Sequence, residues 1–417
     1  MQTQLADRFQ NDMMQSSIDQ KTDRLVVSGF LLVLGIVYFT LQRDGAIPSL
    51  LMTLSFPCVL LTLIRQYKRR RIATVYLGII VSSTCLVFIN VMLSGFGGFD
   101  YYKKAIMYIT TLVWLVCCNA ISISKRTLLC LFGFHIVCMG LYAMFFRNGF
   151  EVVEDEIFLT LNFSNPNLAG MFLVHSLLYA GIFMVNIGDL IEKKKWRLTL
   201  LGICLPFFFN TINLLFLTGN RSSVMAFLLF VGLIVSDLLF PYRFWLKKKY
   251  LFLLAMFPFL FVFIYIAYAG KLGNHITFGM VDHGKTNTTR NHVWLPIIND
   301  FWHYFLSGDY SGISKGTGKS QLHNTHLDVY ASYGILPLVL YVYLLFKLMS
   351  NALCITNTRL HRSGLYAFMA VFAVCCFEAG LVAGSFGLFI FTGGFLLIAH
   401  YKPQSRPLQS VPKSNNR

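Results

Sequence analysis

The feature that most constrains this chain is the recurrence of apolar runs long enough to cross a bilayer. A hydrocarbon layer of roughly 30 Å needs about 17–25 such residues in a helix. Spans are predicted over Leu25–Thr40, Ile47–Ile64, Ile72–Leu93, Ala105–Ile121, Leu128–Phe146, Leu168–Ile187, Leu198–Leu217, Val224–Phe240, Tyr250–Ala269, Val329–Leu348, Leu365–Leu381 and Phe386–Ile398. The expected fold is therefore an all-α polytopic integral membrane protein of about twelve helices. Composition agrees: charged residues are 13% of the chain, against about a quarter in a soluble domain. Met1–Arg24 is polar and lacks the short basic start of a cleavable signal peptide.

The formal charge of +17 invites a nucleic-acid reading, and its placement argues against one. Basic clusters fall in every second connection: Arg65–Arg71, Lys125–Arg126, Lys193–Arg197, Arg243–Lys249 and Arg359–Arg362, followed by a basic tail. That is the positive-inside pattern, which predicts that these loops and both termini are cytoplasmic. Contact with anionic membrane lipids is a secondary effect of the same charges. None of the ten cysteines lies well inside a predicted external loop, so no disulfide framework is expected.

The chain reads as one membrane domain. Residues 1–24 form a cytoplasmic segment, 25–269 carry helices one to nine, and 270–328 form a large external loop. Residues 329–400 carry helices ten to twelve, and 401–417 the basic tail. A loop of such length is usually functional or disordered, and its aromatic residues favour order. Within it, Trp294–Phe305 is an amphipathic run that could lie on the membrane surface.

Four ionisable residues stand out. Arg221, in the turn TGNRSS, is expected at the outer mouth between two spans. It could snorkel to lipid headgroups. It could also bind an anion through its planar fork of donors, helped by Ser222 and Ser223 at the start of the next helix. Arg290, in NTTRNHVW, stands four residues before Trp294, on one helical face with it. Taken alone it could be a solvated loop cation. His323 and His326 are expected at or just above the outer end of the tenth span. A histidine there can take a proton from a hydroxyl, and Asn324 could hold a sugar or orient the ring. The HxxH spacing also allows a metal, with Asp328 or His292 as further ligands; no metal is the expected reading. Glu378, near the outer end of the eleventh span, needs a partner. A structural ion pair with Arg221 or a lysine is expected, and polarisation of His323 is the other option.

Taken together these residues resemble the O-antigen ligase and O-antigen polymerase family of bacterial membrane glycosyltransferases. The family's His-[Asn/Ser/Gln]-x9-Gly-x-x-Gly pattern is matched by His323, Asn324, nine residues and Gly334-Ile335-Leu336. Pro337 stands where the second Gly is expected. TGNR at Thr218–Arg221 resembles the family's TGSR-type turn. RNHVW followed by FLSGDYSG resembles its arginine–tryptophan–glycine stretch, and Asn165-Pro166-Asn167 its Asn-Pro-Asn element. The likeness spans about residues 162 to 348.

The resemblance implies a GT-C-like fold in the bacterial cytoplasmic membrane. It implies inverting transfer of a glycan from undecaprenyl diphosphate to an acceptor hydroxyl on the outer face, without nucleotide, metal or other cofactor. His323 would be the general base, and Arg221 and Arg290 would grip the diphosphate. Asn324, Ser222, Asn167, Trp294, His326 and Glu378 would line the substrate site. Sugars would stack on Trp294, Trp302 or Tyr304. The acceptor would be a second lipid-linked repeat in a polymerase, or a lipid A core or other envelope glycan in a ligase. The competing class is a flippase for lipid-linked oligosaccharides. Transporters hold ionisable groups near the bilayer midplane on interrupted helices, whereas the candidates here are expected near the outer boundary. A structural or regulatory membrane protein would leave the long aromatic loop unexplained.

Overall fold

A computed structural model describes residues 57, 59–68, 72–93, 99–121, 123–145, 150–153, 156–161, 166–240, 246–272, 288–309, 322–355, 358–378 and 388–401. The readings for segment 1–24, the first predicted span, most of the second, the tail from residue 402 and much of the large loop lie outside those residues.

The described chain is almost wholly helical. Its helices are α1 (Thr74–Leu93), α2 (Phe99–Ala120), α3 (Lys125–Phe145), α4 (Pro166–Val185), α5 (Ile187–Leu190), α6 (Lys194–Leu217), α7 (Arg221–Leu239) and α8 (Lys248–Leu272). After these come α9 (Thr288–Asn299), α10 (Phe301–Phe305), α11 (Thr325–Tyr333), α12 (Ile335–Ile355), α13 (Arg359–Cys375) and α14 (Leu388–Ala399). Among the described residues seven helices are long and apolar enough to cross a membrane: α1, α3, α4, α6, α7, α8 and α12. The twenty residues of α1 rise about 30 Å, the thickness of the hydrocarbon core.

Burial separates the lipid-facing helices from the central one. Every residue of α4 from Leu168 to Phe183 is buried, as expected for a helix that is apolar all round. Helices α6 and α8 instead expose apolar side chains such as Phe209, Leu253 and Ile264, which suit contact with lipid. Polar groups in the core are spent on contacts between helices. The Tyr179 hydroxyl of α4 donates to the Phe391 carbonyl of α14 (2.5 Å), and His175 Nε2 meets Thr392 Oγ1 at 3.1 Å. At one end of the bundle, Arg362 Nε of α13 reaches both carboxylate oxygens of Asp237 on α7 at 3.1 Å. Tyr366 donates to the same carboxylate at 2.9 Å. This is the basic end, where Lys125, Lys194, Lys248 and Arg359 begin their helices.

Two expectations are corrected here. The predicted tenth span, Val329–Leu348, is not one helix, because Gly334 breaks it. Gly334 has φ +86°, and a Cβ there would sit 2.4 Å from the Leu306 carbonyl oxygen. A side chain fits neither the dihedral nor the space. Pro337 then falls in the first turn of α12, where its missing N–H is tolerated. Second, Trp294–Phe305 is two helices, α9 and α10, divided at Asp300. Beside the helices of this all-α fold, the described residues hold one small hairpin. Strands β1 (Phe150–Val153) and β2 (Glu156–Leu159) pair antiparallel, Phe150 opposite Leu159. Phe158 of β2 lies over Gly219 in the α6–α7 turn, where a Cβ would come within 2.5 Å of the ring.

The Gly334 break turns α11 and α12 into a helical hairpin. The rings of His326 and Tyr341, on either side of the turn, lie 5.1 Å apart. The turn itself is at the end opposite the basic one. There Asn90 of α1 donates to the Tyr333 carbonyl (2.5 Å) and Tyr101 of α2 to the Ser332 carbonyl (3.2 Å). Residue 323 therefore lies about 14 Å along the helix axis from the turn, inside the bundle.

Candidate active site

His323 precedes α11 in a left-handed backbone conformation, φ +51°. A non-glycine residue adopts that region only at a cost of about 1–3 kcal/mol, and its surroundings must impose it. Here they do. Asn324, fully buried, caps α11 by accepting from Leu327 N at 2.9 Å. Its amide donates to the Pro258 carbonyl (2.8 Å) and the Cys376 carbonyl (3.0 Å). Thr325 donates its hydroxyl to the Glu378 carbonyl at 2.8 Å. On the other side, the Leu322 carbonyl accepts from the Trp294 indole N–H at 2.5 Å.

The His323 ring pairs with Glu378, Nδ1 to Oε2, at 3.3 Å. The Glu378 side chain is buried (7% exposed) and that of His323 is partly open (28%). A carboxylate only accepts, so Nδ1 donates, and the neutral tautomer that does so carries its lone pair on Nε2. That is the arrangement of an oriented general base. Glu378 thus meets His323, the contact that the second of its two sequence readings requires.

Arg221 is the first residue of α7 and is exposed. Its turn is self-contained. Asn220 caps α7, its Oδ1 accepting from Ser223 N (3.1 Å) and from the Ser222 hydroxyl (2.7 Å). The Asn220 amide donates to the Asn167 carbonyl at 2.7 Å, which joins the Asn-Pro-Asn element to the TGNR turn. No hydrogen bond or ion pair of the Arg221 guanidinium occurs among the described residues. A cation at the positive end of a helix dipole is unfavourable without an anion nearby.

Arg221 and the His323–Glu378 pair lie at the same level. Helices α7 and α13 run antiparallel from the Asp237–Arg362 contact. Arg221 is about 24 Å along one and Cys376, next to Phe377 and Glu378, about 21 Å along the other. Arg290 lies in α9, one turn before Trp294, whose indole anchors that helix beside His323. Its side chain is outside the described residues.

Several predicted roles are overturned. Trp294 is fully buried and Tyr304 nearly so (7% exposed), so neither can stack on a sugar; Trp302 is exposed. Asn324 spends its side chain on the cap and two carbonyls and is fully buried, so it does not face a glycan. Ser222 is buried and donates to Asn220. His326 is buried too, its Nε2 donating to the Ala255 carbonyl at 2.8 Å. Its ring packs against Tyr341, centroids 5.1 Å apart. His323 itself is recessed below the Gly334 turn rather than standing at the rim.

Sequence reasoning missed Lys104. Its ammonium lies 3.6 Å from Asp328 Oδ1, both side chains nearly buried. The Lys103–Lys104 pair at the edge of an apolar span was the available signal.

No family model, curated protein or solved structure matches the chain.

Proposed function

We propose that the protein is a membrane glycosyltransferase that moves a glycan from undecaprenyl diphosphate to an acceptor hydroxyl at the outer face of the bacterial cytoplasmic membrane. Repeat-unit polymerisation of an O-antigen, capsule or exopolysaccharide is the preferred activity. The observation that carries the reading is the His323–Glu378 pair, an imidazole oriented by a buried carboxylate in a strained turn, level with an exposed arginine. His323 Nε2 takes the acceptor proton while the hydroxyl oxygen attacks the anomeric carbon and inverts it. Arg221, with Arg290, neutralises the departing diphosphate, the electrostatic contribution that is usually largest. The full topology in this reading has twelve spans, with both termini cytoplasmic and the loop between the ninth and tenth outside. The lipid-facing helices take the polyprenyl tail. No nucleotide, metal or nucleic acid takes part.

The test is reconstitution with a defined undecaprenyl-diphosphate oligosaccharide alone. A product ladder supports a polymerase. Product only after a separate acceptor is added supports a ligase. Transfer that persists in His323→Ala refutes the mechanism. One observation favours the flippase reading: an interrupted helix, α11–α12, holds a recessed histidine, as transporters do. Movement of the lipid-linked glycan across proteoliposomes without any new glycosidic bond would decide for it.

A further inference from the structure

Leu322, the residue before His323, is gripped from two sides. Trp294 Nε1 donates to the Leu322 carbonyl at 2.5 Å. Asp328 Oδ1 receives the Leu322 N–H at 3.4 Å and sits 3.6 Å from the Lys104 ammonium. The Leu322 side chain is itself fully buried. Trp294 is held in turn by Tyr265, ring centroids 5.2 Å apart, and Phe261, 6.5 Å apart, both on α8. Side chains from α9 and α11 thus hold the carbonyl and the N–H on either side of the Leu322 Cα, and α2 backs Asp328 through Lys104.

We propose that Trp294, backed by the Asp328–Lys104 pair, is a positioning device for His323. Fixing the Leu322 carbonyl sets the plane of the peptide that leads into the left-handed turn, fixing the Leu322 N–H restrains the φ of the residue before it, and together they set the aim of the imidazole towards Glu378. The same indole fixes α9 against His323. Because Arg290 lies one turn earlier on that helix, a single hydrogen bond sets the spacing between two groups assigned to the reaction. Trp294 touches no substrate; it acts through His323. The proposal rests on the role given to His323 above, and its test has a readout that does not need catalysis.

Trp294→Phe keeps an aromatic ring against Tyr265 and Phe261 and deletes the N–H. The intact protein in detergent is treated with diethyl pyrocarbonate, and His323 modification is followed by mass spectrometry. His323 should react several-fold faster in the variant. In the transfer assay kcat should fall by about 100-fold with KM little changed, the size expected when a reacting group is displaced by about 1 Å. Unchanged labelling and unchanged kcat would overturn the proposal. Faster labelling in the variant, with no transfer by the wild type, would uphold the device and refute the glycosyltransferase reading.

The second variant guards against misfolding. Lys104→Met/Asp328→Leu replaces a buried ion pair by apolar groups, a change that folded proteins often tolerate without loss of stability. A merely structural pair would leave kcat and labelling intact in the double variant, and that result would remove the pair from the device. A positioning pair predicts wild-type thermal stability, lower kcat and faster His323 labelling.

Discussion

His323 occupies a backbone region that disfavours any side chain, and the packing around it is satisfied only with that turn in place. The Asn324 cap, the Thr325–Glu378 contact and the Trp294 clamp all bond atoms within two residues of it. Strain held this firmly is typical of functional sites. Two residue-level outcomes follow for the transfer assay. His323→Ala should lower kcat by about 10²–10⁴, the usual contribution of a general base, and leave membrane insertion intact. Arg221→Lys should lower it by about 100-fold, because a point charge cannot reproduce a fork of donors aimed at a leaving phosphate. Retained activity in Arg221→Lys would return that arginine to a headgroup contact. As candidates, His323, Glu378 and Arg221 were legible in the sequence because an ionisable group beside an apolar run demands an explanation. The assignments of Asn324, Ser222, His326 and Trp294 were not. Whether a polar side chain faces a substrate or a neighbouring carbonyl depends on packing between distant segments, such as Asn324 on Pro258, which spacing along the chain does not encode.

At the scale of elements, the break at Gly334 does most to place the site. Apolar periodicity ran through it unchanged, so the sequence reading joined α11 and α12 into one span. Only the positive φ and the close approach of the Leu306 carbonyl reveal why a glycine stands there. Gly334→Ala should therefore destabilise the protein by about 1–3 kcal/mol or more, since strain and a backbone clash add. Gly232, in the middle of α7, has no atom within 4 Å of a built Cβ. Gly232→Ala should be neutral or stabilise by up to about 1 kcal/mol. Thermal unfolding followed by size-exclusion fluorescence compares the two. Equal effects would mean that the hairpin does not depend on Gly334. The small β-hairpin escaped the sequence reading for the opposite reason. Its strands are four residues each, too short for alternation to be told from chance.

For the whole molecule, the arrangement of charge and the arrangement of chemistry make one joint claim. Basic residues gather where α3, α6, α8 and α13 begin, and Arg221, Glu378 and His323 lie towards the other end of the bundle. If the positive-inside rule orients the bundle, the candidate site opens away from the cytoplasm. Trp196 at the start of α6 and Trp302 on α10 are both exposed, at 57% and 78%, and belong to opposite ends. In a background lacking cysteines, of which Cys85, Cys130 and Cys354 are exposed, each tryptophan can be replaced singly by cysteine. A membrane-impermeant maleimide applied to intact spheroplasts should label Trp302→Cys, and should label Trp196→Cys only after lysis. The reverse pattern would place Arg221 and His323 towards the cytoplasm. A donor presented on the outer face would then never meet them, and the proposed reaction would fail even if both residues proved essential to some other activity.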